Sequence, residues 1–252
     1  MNRAGLTALV VAVVLGCIGG VALAQSFEGT PGDDTITGTP RPDGIWGEAG
    51  ADVLSGLDGN DYIEGGPDGD RIEAGVGDDL AIGGSGNDEI QLGDGADVAY
   101  AGPGNDQVLG EAGNDVLLGQ PGADRLFGGP DADRLYTGGG DDYADGGAGP
   151  DEIFASSGGG TLIGGIGNDT IKAQSGTWTA YGSPGRDTIE LGPGNDHAIG
   201  GVGHDTISTG SGDDTIDVAD GQTDTVDCGP GVDTVKAGKQ DTLKDCEKVT
   251  RG

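Results

Sequence analysis

Asp34, Asp43, Asp52, Asp61, Asp70, Asp79, Asp88, Asp97, Asp106, Asp115, Asp124, Asp133, Asp142, Asp151, Asp169, Asp187, Asp196, Asp205 and Asp214 all lie on one nine-residue grid. Of the 21 grid positions from 34 to 214, only Gly160 and Trp178 break the series. Carboxylates repeated at this spacing, in glycine-rich surroundings that let backbone carbonyls turn inward, make a donor set for a hard divalent cation. Such ions take six to eight oxygens at about 2.3–2.6 Å. Catalysis has little support from the same residues. His197 and His204 stand at repeat positions seven and five with no Ser or Cys nucleophile signature beside them, and the paired carboxylates are accounted for as repeat ligands. No segment outside the repeat is long enough to host an enzyme, so the expectation is a non-enzymatic chain.

The elements that must carry these aspartates follow from two further columns. Two residues after every grid position stands Ile, Leu, Val or Ala, from Ile36 and Ile45 through Ile207 and Ile216. Two residues before it stands Gly in 18 of 21 cases, the departures being Arg41, Asp68 and Asp131. Three aligned columns make this a repeat protein, and a fixed period is read before any other feature. A short strand follows each aspartate, its middle side chain inside and its neighbours outside. Ile90, Val108, Leu126 and Ile153 are then core residues. Composition agrees: 57 glycines would melt helices, each costing roughly 0.5–1 kcal/mol against Ala. Strict spacing argues against the disorder that a glycine-rich acidic chain otherwise suggests. The formal charge of −32 excludes nucleic acid as a partner and has to be neutralised when turns stack.

Written out, a unit reads Gly83-Gly84-Ser85-Gly86-Asn87-Asp88-Glu89-Ile90-Gln91; others are Gly146-Gly147-Ala148-Gly149-Pro150-Asp151 and Gly164-Gly165-Ile166-Gly167-Asn168-Asp169. This resembles the G-G-x-G-x-D-x-U-x repeat of RTX (haemolysin-type) calcium-binding proteins over about residues 29–217. The resemblance implies an all-β fold, a parallel β-roll: a right-handed solenoid with two nonapeptides per 18-residue coil. It also implies Ca²⁺ between loops of successive coils, with one Asp from each. Aspartate pairs 18 apart number 19 on the grid; Gly160 and Trp178 remove three, leaving about 16 ions. Their charge of roughly +32 would nearly neutralise the −33 that remains once Arg3 is removed. Folding coupled to calcium follows, with dissociation constants on the order of 10⁻⁴–10⁻³ M. Loops with Arg41, Asp68 or Asp131 in the glycine column are expected to bind weakly. The stretch near 155–181 is expected to be calcium-poor, with Trp178 filling a skipped site.

Residues 1–24 read as an export signal: Asn2-Arg3, an apolar run from Leu6 to Val14, and Ala22-Leu23-Ala24 before Gln25. A secreted, extracellular chain is the expectation, with lipid anchoring at Cys17 as the alternative. An N-terminal signal departs from the usual RTX export route, so toxin and protease activities are not carried over. The roll is assigned to residues 25–217, and residues 218–252 to an irregular terminal cap. Cys228 and Cys246, an even pair in an exported chain, are expected to form a disulfide between adjacent coils. Roughly ten coils at about 4.8 Å each give a rod about 50 Å long.

On one outer face Leu80, Ile82, Val98, Tyr100, Val116, Leu118, Tyr136 and Phe154 are expected to stack as neighbours. Apolar and aromatic side chains suit strands for their own sake. A contiguous exposed stripe also marks a partner surface, for a cell-surface, glycan or protein partner. The leading expectation is an exported calcium-binding roll with a structural or adhesive role. The alternative is a calcium-dependent accessory module for a separate secreted enzyme. Oligomeric state is not legible in the sequence.

Overall fold

The computed structural model describes residues 25–252; the expected export signal and the alternative lipid anchor at Cys17 lie outside the described residues. Twenty-four strands run from β1 (Gln25–Glu28) to β24 (Lys248–Arg251), with no helix among the described residues. Every strand-to-strand ladder is parallel, and each strand pairs with the one a full coil later: Ile45 faces Ile63, Ile72 faces Ile90 and Val108 faces Leu126. The 18-residue offset is the direct consequence of two nonapeptides per coil. The result is a parallel β-solenoid with two strand faces joined at two loop edges. We call the edge carrying Asp52, Asp70 and Asp88 the first, and the edge carrying Asp61, Asp79 and Asp97 the second.

The interior is one continuous apolar column. Ile90, Val108, Leu126 and Ile153 are fully buried, as are the equivalent residues of neighbouring coils. With only one inward side chain per three-residue strand, each coil has a thin core, and stability comes from stacking coils rather than from any one of them.

Coils continue past residue 217. Ile207 pairs with Val226 and Ile216 with Val235, an offset of 19, and Val226 pairs with Leu243 at an offset of 17. The slips fall in loops, which absorb an extra residue without disturbing the inward alternation of the strands. The roll therefore has about 13 turns rather than ten. Cys228 and Cys246 are joined across adjacent turns, with Cα atoms 5.3 Å apart.

Glycine two residues before each aspartate answers a conformational need. Gly113 has φ +133°, and a Cβ there would collide with the carbonyl oxygen of Gly95 one coil before. Asp68 and Asp131 replace glycine at this position with φ of 77° and 80°, in the left-handed region that Asp tolerates better than most residues.

Candidate metal centre

Each repeat brings its aspartate to a loop edge and turns the carboxylate into the coil stack. One oxygen is used by the fold itself. The backbone N–H of every grid aspartate but Asp142, which has Gly160 one coil later, donates to Oδ1 of the aspartate one coil later: Asp43 to Asp61 at 2.7 Å, Asp97 to Asp115 at 2.9 Å, Asp133 to Asp151 at 2.8 Å. The ladder extends into the terminal coils, where Asp205 donates to Asp224 and Asp214 to Asp233, both at 2.8 Å. It closes at Asp241 on the second edge (3.2 Å from Asp224 N) and at Glu247 on the first, whose Oε2 accepts from Asp233 N at 3.0 Å.

The second oxygen is left over. Oδ2 of 19 aspartates, from Asp52 to Asp233, is buried with no hydrogen-bond partner. Native folds rarely leave even one buried polar atom unpaired, so a repeated orphan of a charged group marks a place for a counter-ion. Backbone oxygens share that place. A Cβ built on Gly119 would lie 2.5 Å from both Asp124 Oδ2 and the Thr137 carbonyl oxygen of the next coil. One on Gly146 would lie 2.6 Å from Asp151 Oδ2 and 2.5 Å from the Gly164 carbonyl oxygen. Carboxylate and carbonyl oxygens thus converge on a cradle kept clear by glycine.

Among the described residues, no three or more His, Cys, Asp or Glu side chains cluster as a metal site. The donors are carboxylates singly placed on successive coils, supplemented by carbonyls. That set fits Ca²⁺, which accepts many oxygens in irregular geometry; Mg²⁺ demands a small, near-ideal octahedron, and zinc prefers N and S.

Burial, aided by the neighbouring carboxylates, pushes these acids upward. Asp79 is raised to about 8 and Asp70, Asp97 and Asp133 to about 7; in each, desolvation is the largest cause and the backbone hydrogen bond to Oδ1 opposes it. Ionised carboxylates are disfavoured here unless a cation joins them.

The two ends differ from the middle. Asp34 Oδ2 accepts from the Thr30 hydroxyl at 2.9 Å and Asp43 Oδ2 from the Thr39 hydroxyl at 2.7 Å. At the other end Asp241 Oδ2 accepts from Gly238 N at 2.6 Å. Hydroxyl and amide donors therefore occupy the oxygen that elsewhere stands unpaired. Asp34 and Asp43, expected as ligands like the rest, have this oxygen paired with a threonine hydroxyl four residues before, and Asp43 Oδ1 accepts from Gln25 N–H at 3.1 Å.

Asp224, Asp233, Asp241 and Glu247 belong to the ladder, although all but Asp241 lie off the strict period of nine. A second ladder lies outside the first. Asn87 Oδ1 accepts from Asn105 N, and Asn105 Oδ1 from Ala123 N, both at 2.8 Å. Its signal is visible in the sequence as Asn immediately before grid aspartates. His204 has the corresponding position, its Nδ1 3.0 Å from the Thr223 carbonyl oxygen.

At the two broken grid positions, Trp178 is buried at the first edge, and its Nε1–H donates to the Ser175 carbonyl at 3.1 Å. On the outer face, Ile82, Tyr100, Leu118, Tyr136 and Phe154 stand in register on successive coils. Tyr136 and Phe154 stack with ring centroids 5.1 Å apart. Val98 and Val116 pair in the parallel column. Leu80 departs from the open face expected of it: only 4% exposed, it joins Trp46 and Tyr62 in a separate cluster outside the main core. Large apolar surfaces on adjacent coils favour burial together over separate hydration. A groove of about 810 Å³ begins beside Leu118, Tyr136 and Phe154 and continues past Gln120, Lys172 and Gln174.

A family model described as the RTX calcium-binding nonapeptide repeat (4 copies) matches residues 28–63, 46–81, 64–99, 82–117, 118–153, 154–177 and 181–216. No curated protein matches the chain.

Proposed function

Because the chain belongs to the RTX calcium-binding nonapeptide-repeat family, we propose that it is an exported, non-enzymatic β-roll whose folding is coupled to extracellular Ca²⁺. The observation that carries this reading is the file of buried, unpartnered Oδ2 atoms. Counting neighbours along an edge that are both orphaned gives seven pairs on the first edge and nine on the second, sixteen candidate cations in all. Sixteen divalent ions carry a charge equal in size to the −32 of the chain, which otherwise opposes stacking.

The test is circular dichroism of residues 25–252 titrated separately with calcium and magnesium. A cooperative gain of β signal with calcium, reversed by chelator and not reproduced by equal magnesium, is the expected result. A chain fully folded in chelator would sink the coupling of folding to calcium.

The rod would serve as a structural or adhesive spacer that presents Tyr100, Leu118, Tyr136 and Phe154 to a partner. Tyr100 and Tyr136 are each 38% exposed, large aromatic areas for a strand face open to water. Serine at Tyr100, Leu118 and Tyr136 together should leave the calcium-induced β signal intact and remove binding to cells or glycans. Binding that survives the triple substitution would rule this surface out.

A further inference from the structure

Between Asp142 and Asp196 the first edge is built differently from the rest of the roll. Elsewhere strands are short and loops intervene, as in β11 (Val116–Leu118) and β13 (Arg134–Tyr136). Here β15 (Glu152–Ile166) and β16 (Thr170–Gly185) run 15 and 16 residues, through one face, around the first edge and along the other. Their pairing is in register across the edge itself: Ser157 with Ser175, Gly158 with Gly176, Gly160 with Trp178. β14 (Gly139–Ala148) extends the same pairing, with Gly140 opposite Gly158 and Asp142 opposite Gly160. The edge is therefore closed by backbone hydrogen bonds.

The interior agrees at the grid position itself. Trp178 is 1% exposed and takes the room that a carboxylate and its cation would need. Neither Gly160 nor Trp178 offers an oxygen that needs a counter-ion. The neighbouring carboxylates Asp151, Asp169 and Asp187 all lie on the opposite edge, so this stretch has half the buried charge per coil of its flanks.

We propose that the coils around Trp178, residues 152–185, which have orphaned carboxylates on the second edge alone, are the least cation-dependent part of the roll and form the folding core on which the other coils assemble in both directions. This rests on the calcium-coupled reading above and adds where the roll begins. In a stack with nearest-neighbour cooperativity, the segment that needs least ligand supplies the nucleus, and each new coil then needs only its own cations. The break also divides the first edge into two separately loading blocks, Asp52–Asp142 and Asp196–Asp233, while the second edge stays continuous from Asp61 to Asp224.

Hydrogen exchange read by mass spectrometry on residues 25–252 in chelator, then at increasing calcium, tests this. In chelator, amides of 152–185 should exchange at least about ten-fold more slowly than those of 61–115 and 196–241, since protection reports local opening. Protection should spread outward from 152–185 as calcium rises. Equal, unprotected exchange everywhere in chelator, followed by a single step of protection along the chain, overturns the core while leaving calcium-coupled folding intact. Full protection everywhere in chelator fails the calcium-coupled reading itself. Gly160 has φ +120° and no room for a Cβ against the Asp142 carbonyl oxygen, so the column is refilled at Trp178 alone. Trp178→Asp should lose the chelator-state protection of 152–185 and regain it in calcium, whereas Trp178→Phe should keep it in both. Unchanged protection of Trp178→Asp in chelator would show that the plug is not the cause; if that variant does not fold in calcium, the wild-type pattern and Trp178→Phe decide.

Discussion

Acidifying residues 25–252 free of calcium, from about pH 8 to about pH 4.5, should increase their β structure and resistance to urea. The buried acids have folded-state values near 8 for Asp79 and near 7 for Asp70, Asp97, Asp133 and Asp187, against 3.8 when unperturbed. Between those limits the folded state binds more protons than the unfolded one, so stability falls as pH rises through the window and is recovered as pH drops. Protons replace part of the missing positive charge. With calcium bound the slope should reverse, because the cation holds the same carboxylates ionised and protons compete with it. Urea midpoints measured across this range, in chelator and in excess calcium, should give curves of opposite slope. A metal-free chain that loses β signal on acidification in parallel with the calcium-loaded chain would contradict the burial of these groups.

Replacing Asp133 by Asn should cost far more than the same change at Asp34. Asp133 lies in the uninterrupted second edge, with Oδ2 unpartnered and with Asp115 and Asp151 as its neighbours along the ladder. The Asn Oδ1 can still accept the backbone bond, but an amide N–H₂ then points into the cation's place. Two candidate sites fail together. At free calcium a hundred times the dissociation constant, each bound ion contributes about 2.7 kcal/mol, so a loss of roughly 5 kcal/mol is expected. Asp34 has Thr30 on its second oxygen, and Asp34→Asn should cost only a fraction of that. Calcium stoichiometry by equilibrium dialysis should fall by about two for Asp133→Asn and by less than one for Asp34→Asn, as follows if each interior carboxylate serves two sites. Equal effects at the two positions would mean that the orphaned oxygens are not the ligands.

Much of the architecture was legible because a solenoid maps one dimension onto another. A period of nine placed Ile90 and Val108 inside, set the 18-residue offset between paired strands, and assigned the aspartates to loop edges. Residues were read correctly where their surroundings repeat. The terminal coils were harder, since an inserted residue moved Asp224 and Asp233 off the grid before an eight-residue step returned Asp241 to it, and Glu247 has no repeat signature at all. Only stacking shows that these groups complete the ladder, because the bond runs between coils rather than along the chain.

What the sequence determined by itself is the column structure: which residue types recur, at what spacing, and therefore a coil with oxygen donors at its edges and aliphatic residues inside. Tertiary structure decided which oxygen of each carboxylate is left free, since Oδ1 is consumed by a backbone N–H of a neighbouring coil. It decided that Thr30 and Thr39 close the first coils, that Leu80 is withdrawn beside Trp46 and Tyr62, and that the edge at Trp178 becomes continuous strand. The threonine contacts span four residues, but the others depend on what a residue meets one coil away. Local propensity does not encode that contact; the register of the stack does.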